Sequence, residues 1–208
     1  MNDSQLEDRQ LIRELIEAWV IWRDGGDFER LASLWRPDGF IMTTWCEATA
    51  SEFVERSRRV WEAGGQVFHS VNGAHVEVKG ERAIALTKMQ IIQRAPLHGV
   101  MVDVTCRGRF CDAFEKQDGR WGLLSRQAVY EGDTLAPLDL GAEVKLDPDL
   151  LSTFPQGYRH LGYLQTLAGH PVNKNLPGAR EAVELVQRLR AWLGGGERAL
   201  IRSAAATT

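Results

Sequence analysis

The sequence is poor in cysteine, in excess charge of either sign and in long apolar runs. Its three cysteines, Cys46, Cys106 and Cys111, cannot all pair and show no CxxC spacing, so neither a disulfide framework nor a zinc knuckle is expected. The formal net charge of -3 argues against nucleic acid or an anionic membrane as a partner, since either favours a basic surface. No signal-peptide pattern and no run of membrane-spanning length occur, which favours a cytoplasmic location.

Motifs that identify common catalytic sites are also missing. The chain has no phosphate-binding glycine loop, dinucleotide fingerprint, GxSxG elbow or HExxH. His69 and His75 could share one face of a strand, but no third ligand lies at a suitable spacing. We therefore predict no metal and no cofactor.

Helical patterns dominate the first third of the chain. Residues 4–24 carry apolar side chains at helical spacing, and Gly25 is a natural terminator. Asp27 is placed to cap a second, short helix, which the turn "RPDG" at 36–39 follows. After the short strand "FIMTTW", a third helix covers roughly residues 50–63.

From Gly65 onward the pattern becomes that of strands. Two strand pairs are predicted, one around the turn "KGER" at 79–82 and one around "QDGR" at 117–120. Helices followed by an antiparallel meander indicate an α+β fold, with the helices on one face of a curved sheet. We assign this domain to residues 1–131.

Residues 132–208 form a predicted C-terminal extension rather than an independent domain. Its first part is rich in Pro, Gly and Asp and is expected to wrap over the domain. A helix is predicted at about 178–193, and the last dozen residues are typical of a loose tail.

Asp24 is the acidic residue that the local pattern explains least. A carboxylate at a helix C-terminus faces the negative end of the helix dipole, at a cost of a few tenths to ~1 kcal/mol. It therefore favours a cationic partner, and a histidine partner would become a better base. The alternative is that Asp24 is only a turn residue in "DGGD".

Two further polar residues lie within predicted strands. His69 is flanked by apolar residues, where a lone histidine is more often a partly buried, satisfied side chain than a catalyst. Arg126 alternates with Leu124 and Ala128, and it needs an anionic partner if its side chain points inward. Alternation alone leaves the inward and outward orientations open.

The order of these features resembles the nuclear transport factor 2-like superfamily. The resemblance spans residues 5–131, and "RDGGDFERL", "HSVN" and "FEKQDGRW" carry it. The SnoaL-like branch, which includes scytalone dehydratase and hexachlorocyclohexane dehydrochlorinase, is the nearest match. The resemblance implies a cystatin-like α+β barrel, a cone of strongly curved antiparallel sheet whose pocket is closed by the N-terminal helices.

The same resemblance implies catalytic residues. In both enzymes an Asp at the end of the first helix pairs with a His on the following long strand, and Asp24 and His69 match that dyad. Arg126 matches a pocket arginine of the dehydrochlorinase by its spacing from Trp121. Gln93 stands where scytalone dehydratase has a second histidine, and Trp19 stands where the dehydrochlorinase has a lysine. Neither enzyme's full set is present, so neither specific reaction is carried over.

Pocket walls follow from the implied strand register. The residues expected to face the pocket or bind substrate are Trp19, Trp22, Ile91, Gln93, Cys106, Gly108, Phe110 and Tyr130. Arg107 and Arg109 are expected on the outer face.

The resemblance supports three hypotheses for function. The first is a cofactor-independent lyase, dehydratase or isomerase, in which proton abstraction breaks a C–O or C–C bond of a hydrophobic, aromatic small molecule. The second is a non-catalytic ligand-binding or assembly module, and the third is a relative of the small subunit of ring-hydroxylating dioxygenases. A homo-oligomer, trimer or dimer, is usual for such cones and is expected here.

Overall fold

The computed structural model describes residues 3–201, which form six helices and one six-stranded sheet. The helices are α1 (Asp3–Gly25), α2 (Phe28–Ser33), α3 (Ala50–Glu62), α4 (Pro148–Ser152), α5 (Arg159–Leu167) and α6 (Ala182–Leu193). The strands are β1 (Trp35–Met42), β2 (Glu47–Thr49), β3 (Gln66–Lys79), β4 (Arg82–Leu97), β5 (Val100–Gln117) and β6 (Arg120–Pro137).

The sheet has the strand order β2-β1-β6-β5-β4-β3. Strands β3 to β6 form the predicted antiparallel meander, and β2 is antiparallel to β1. The pair β1–β6 is parallel, so the expectation of a wholly antiparallel sheet was wrong at this one pair. The residues "RPDG", predicted as a turn, lie inside β1 as an irregularity in its pairing with β6. The predicted α+β fold is confirmed.

Local signals in the sequence set the ends of several elements. The Asp27 side chain accepts a hydrogen bond from the Arg30 backbone N–H and so caps α2. Thr49 and Glu52 form a reciprocal capping box at the start of α3. Asp118 and Gly119 join β5 to β6 with φ angles of 52° and 77°, the left-handed pair that a two-residue hairpin turn requires.

One large core fills the concave side of the sheet. The inner face of α1 packs there against α2, α3 and residues of β3 to β6. Its buried α1 residues are Ile12, Ile16, Trp19 and Val20. The core also includes Phe154, Tyr158 and Leu161 of the C-terminal extension, so the extension packs onto the inner side of the sheet.

A second cluster lies on the outer face of the sheet. Here α6 packs its buried Leu185, Leu189 and Trp192 against strand residues such as Cys111 and Leu124. The extension therefore contacts both faces of the sheet, with α5 on one side and α6 on the other.

The structure places three boundaries of the extension differently from the sequence analysis. Strand β6 continues to Pro137, so the predicted boundary at residue 131 falls inside a paired strand. Helix α6 begins at Ala182 rather than near 178. Residues 198–201 form a 3-10 turn with Ile201 buried in the outer cluster, although a loose tail was predicted there. The rest of that predicted tail, 202–208, lies outside the described residues.

Within residues 3–201, no helix combines the length and the apolar character needed to cross a membrane.

The outer cluster predicts a large effect for one substitution. Trp192 is fully buried, and Trp192→Ala should lower the free energy of unfolding by about 3–5 kcal/mol because a cavity replaces the indole. The matched control is Val183→Ala on the same helix, where the side chain is 58% exposed and the expected change is within about 0.5 kcal/mol. Denaturant unfolding of both variants measures the difference. Equal stabilities would contradict the packing of α6 on the sheet.

Candidate active site

Helix α1 contributes three side chains to the site from its last two turns. Trp19 and Arg23 are four residues apart and lie on the inner face of the helix. Asp24 lies on the side of the helix that packs against β3, where it contacts His69. The end of the helix thus brings a ring, a cation and a carboxylate to one place.

Asp24 and His69 are joined by two hydrogen bonds. His69 Nδ1 lies 2.7 Å from Asp24 Oδ1, and the backbone N–H of His69 donates to Oδ2. A carboxylate accepts, so Nδ1 carries the proton and Nε2 is left with its lone pair. His69 lines the cavity described below, and its side chain is 8% exposed. The contact gives the carboxylate at the end of α1 two hydrogen-bond donors, the imidazole and a backbone N–H.

The surroundings of His69 favour its neutral form. Burial lowers the pKa of His69 below its usual 6.5, and the positive charges of Arg23 and Arg126 act in the same direction. The hydrogen bond and the charge of Asp24 oppose this shift without reversing it. A neutral imidazole with a free Nε2 can accept a proton at neutral pH.

A cavity opens beside His69 on the concave side of the sheet. Five of the residues predicted to bind substrate line it, namely Trp19, Ile91, Gln93, Phe110 and Tyr130. The rings of Trp19 and His69 meet edge-on with centroids 5.5 Å apart, and those of Trp19 and Phe110 meet at 5.6 Å. Burial raises the pKa of the Tyr130 phenol, which is therefore neutral and whose oxygen accepts a hydrogen bond from the Thr44 backbone N–H.

Three residues predicted on the pocket wall do not line the cavity. Trp22 is partly buried against the core but does not line the cavity, because the helix turns about 100° between Trp22 and Arg23. Cys106 and Gly108 do face inward, but the extension reaches Cys106, whose thiol lies 3.6 Å from the Gly157 carbonyl oxygen, and Gly108 lies against the β6 backbone at Val129. Arg107 and Arg109 lie on the outer face as expected, where Arg109 pairs with Glu131.

Arg126 points inward but is not among the residues that line the cavity, so its predicted catalytic role stays a prediction. Its side chain is fully buried, and its Nε and Nη2 donate to the two oxygens of Asp112 at 2.9 and 2.8 Å. The guanidinium carbon lies 4.4 Å from the centroid of the Trp19 ring and 4.3 Å from that of Phe110. Burial raises the pKa of Asp112 while Arg126 lowers it, and the two-bond geometry is that of an ionised pair.

Sequence reasoning missed the remaining residues of the cavity wall. Arg23 continues the inner stripe of α1, four residues after Trp19, and that spacing was the available signal. Other wall residues come from the loop after β1, from α3, from β3 and from the extension: Thr43, Thr44, Trp45, Phe53, Val60, Val67, Leu161, Gln165 and His170. No local pattern marks the extension residues, because their position depends on how that segment returns to the sheet.

The cavity is small and carries polar atoms without partners. Its volume is about 50 Å³. Among the described residues, Trp19 Nε1, Thr44 Oγ1 and Gln165 Oε1 are buried and have no hydrogen-bond partner. Gln165 also donates from Nε2 to Gln93 Oε1 at 3.3 Å, which links the extension to β4. Buried polar atoms normally have a hydrogen-bond partner, so a bound molecule or water can supply the missing hydrogen bonds.

Residues 3–201 contain no group of three His, Cys, Asp or Glu side chains positioned to hold a metal ion.

Comparison with known proteins identifies the family. The model of the SnoaL-like domain matches residues 4–127, which is more than half of the chain. The chain therefore belongs to the SnoaL-like family, and the resemblance stated from the sequence is confirmed.

Two fungal relatives match well beyond that domain. An uncharacterised protein of Emericella nidulans is 33% identical over 213 residues, covering 94% of this chain and 90% of its own length. Pea pathogenicity protein 2 of Fusarium vanettenii is 32% identical over 206 residues, covering 93% and 88%. These matches include most of the C-terminal extension.

Two solved structures share the fold at low sequence identity. A candidate scytalone dehydratase of Novosphingobium aromaticivorans is 17% identical, with a TM-score of 0.54, and the match covers 70% of this chain and 97% of that one. A type 2 hexachlorocyclohexane dehydrochlorinase is 14% identical, with a TM-score of 0.55 and coverage of 69% and 96%.

The buried pair of Asp112 and Arg126 predicts a severe loss of stability on removal of one charge. Asp112→Asn should lower the free energy of unfolding by about 3–5 kcal/mol, because it leaves the buried guanidinium without a counter-charge. Denaturant unfolding measures this loss. The control is Asp103→Asn on the same strand, which breaks a two-bond contact with the exposed Arg94 and should leave stability near that of the wild type. Similar stabilities of the two variants would refute the assignment of Arg126 to a structural pair.

Proposed function

We propose that this protein is a cofactor-independent lyase, dehydratase or isomerase that uses Asp24 and His69 to remove a proton from a hydrophobic small molecule. The observation that carries the proposal is the 2.7 Å contact between His69 Nδ1 and Asp24 Oδ1 at the wall of a buried aromatic cavity. In this arrangement His69 Nε2 is the general base. Asp24 orients the imidazole and stabilises its protonated form as the proton arrives.

The substrate class follows from the cavity wall. Trp19, Phe53 and Phe110 supply apolar ring surface, and the unpartnered atoms of Thr44 and Gln165 supply hydrogen bonds to polar groups of the substrate. An aromatic molecule with a hydroxyl or carbonyl group fits this chemistry. Gln93 takes part through its contact with Gln165, and Ile91 and Tyr130 complete the wall.

The size of the cavity sets a condition on binding. Ligand pockets commonly have volumes of roughly 300–1,000 Å³. A cavity of about 50 Å³ admits a molecule of aromatic size only if part of the wall moves. The part we propose is α5, since Leu161 and Gln165 cover the cavity from the extension rather than from the sheet.

The names of the two structural neighbours agree with this proposal. A dehydratase and a dehydrochlorinase both catalyse eliminations, in which removal of a proton accompanies loss of a leaving group. Proton abstraction at the same position would also serve C–C cleavage or isomerisation. The reaction type is therefore proposed from the dyad and not from the neighbours, which share only the fold at this level of identity.

A non-catalytic binding or assembly module is the alternative for this fold. That alternative predicts a filled pocket or a separated Asp24 and His69, and both the contact and the unpartnered wall atoms favour the catalytic proposal. The third hypothesis, a relative of a dioxygenase small subunit, requires a large partner chain. The predicted homo-oligomer and cytoplasmic location stay predictions.

Solvent exchange at acidic C–H groups tests the general base without knowledge of the natural substrate. A panel of ketones from cyclopentanone to 2-tetralone is incubated in deuterated buffer, and exchange of the protons next to the carbonyl is followed by NMR. The wild-type protein should accelerate exchange of at least one ketone. His69→Ala should reduce that acceleration by about 10²–10⁴-fold, the usual contribution of a positioned base.

His75→Ala is the matched control, because His75 lies on the same strand with a side chain that is 70% exposed. This variant should accelerate exchange of the ketone protons as much as the wild-type protein does. If His69→Ala also retains the wild-type rate, or if the wild-type protein accelerates no ketone, the general-base proposal fails.

A further inference from the structure

Arg23 is a buried cation on the cavity wall that lacks a close anionic partner. The residue is 4% exposed, and among the described residues that line the cavity it is the one arginine or lysine. Its nearest carboxylate oxygen, Asp24 Oδ1, lies 3.5 Å from Nη1, which is longer than a charge-assisted hydrogen bond.

Asp24 gives its short contacts to His69 instead. Oδ1 accepts from the imidazole Nδ1 at 2.7 Å, and Oδ2 accepts from the His69 backbone. Arg23 and His69 therefore share one carboxylate oxygen, and the imidazole takes the better geometry. The Arg23 nitrogens are not among the enclosed polar atoms that lack a partner, and Arg23 also lines an open groove with Asp24, Trp61 and Arg94.

Arg126, in the same core, is held by its carboxylate in a different geometry. Arg126 is also buried, but its Nε and Nη2 donate two short hydrogen bonds to the Asp112 carboxylate, and only its Nη1 is left without a partner. A buried charge without such a match is costly, and it is normally completed by an anion or by water. Arg23 faces a cavity, where a bound molecule can supply that acceptor.

We propose that Arg23 is a catalytic residue that binds the substrate oxygen on which negative charge develops as His69 removes the proton. In the step, the C–H bond breaks and the proton moves to His69 Nε2. The electron pair of that bond forms a C=C bond, and the carbonyl π electrons move to oxygen. The resulting enolate oxygen accepts hydrogen bonds from the Arg23 guanidinium.

The inference rests on the proposed function and narrows its substrate class to molecules with an enolisable carbonyl. A single carboxylate then serves two groups: Asp24 stabilises the imidazolium, and it holds Arg23 beside the base. Because His69 and Arg23 both contact Asp24, the reacting carbon and the carbonyl oxygen of the substrate must both lie on the Asp24 side of the cavity.

Binding of 4-nitrophenol tests Arg23 without any turnover, because a phenolate resembles an enolate and its absorption reports its ionisation. In the wild-type protein the bound phenol should ionise at a lower pH than the free phenol. In Arg23→Met the apolar cavity should favour the neutral phenol. The acid ionisation constant of the bound phenol should then be about 10-fold or more lower than in the wild-type complex. Arg23→Lys keeps the charge and should give an intermediate value.

Arg13→Met on the same helix is the control, since Arg13 does not line this cavity, and it should titrate the phenol as the wild type does. Thermal unfolding of each variant verifies that it is folded. Equal ionisation of the phenol in Arg23→Met and wild type would overturn the inference, and so would an absence of phenol binding to the wild type.

The two proposals fail in different ways. In His69→Ala the phenol should still ionise at a lower pH than in Arg23→Met, because the Arg23 charge is present, although ketone exchange is lost. Arg23→Met should lose exchange by about 10²–10³-fold, as expected for removal of one oxyanion donor. Normal exchange in His69→Ala with an unchanged phenol shift would refute the base while leaving the anion site in place.

Discussion

Charge inside the apolar cone must be paired, and the arrangement of the site follows from that constraint. Where α1 ends against β3, Asp24 lies between His69, at 2.7 Å, and Arg23, at 3.5 Å. Deeper in the core, Asp112 and Arg126 form a separate two-bond pair beneath the ring of Trp19. In the deep pair both carboxylate oxygens of Asp112 accept from Arg126, whereas at the end of α1 the short contacts of Asp24 go to His69 and Arg23 lies 3.5 Å from it on the cavity wall.

Much of this arrangement could be predicted from the sequence because local chemistry determines it. Helical periodicity gives α1 and α3, the cap residue Asp27 gives the start of α2, and the turn residues give the hairpins β3–β4 and β5–β6. Prediction of the contact between Asp24 and His69 required more than local chemistry. The dipole argument indicated that Asp24 requires a partner, and only the family resemblance indicated which strand supplies it.

The parts that could not be predicted depend on register and on long-range packing. The hairpin β5–β6 shifts register at Leu124, which moves the inward positions of β6 from odd to even numbers and places Arg126 opposite Asp112. Continuous pairing from the turn would have placed Arg126 opposite Cys111 on the outer face. Gln165 reaches the cavity only because the extension folds back over the sheet, and no periodic pattern encodes that path.

The state of the His69 ring is the most direct test of the account. In protein labelled with ¹⁵N-histidine, NMR at neutral pH should show a neutral His69 with the proton on Nδ1 and none on Nε2, because Asp24 accepts from Nδ1. Titration should give a pKa below 6.5, since burial disfavours the charged ring. A proton on Nε2 with Nδ1 bare, or a ring that is charged at neutral pH, would contradict the assignment of His69 as the general base.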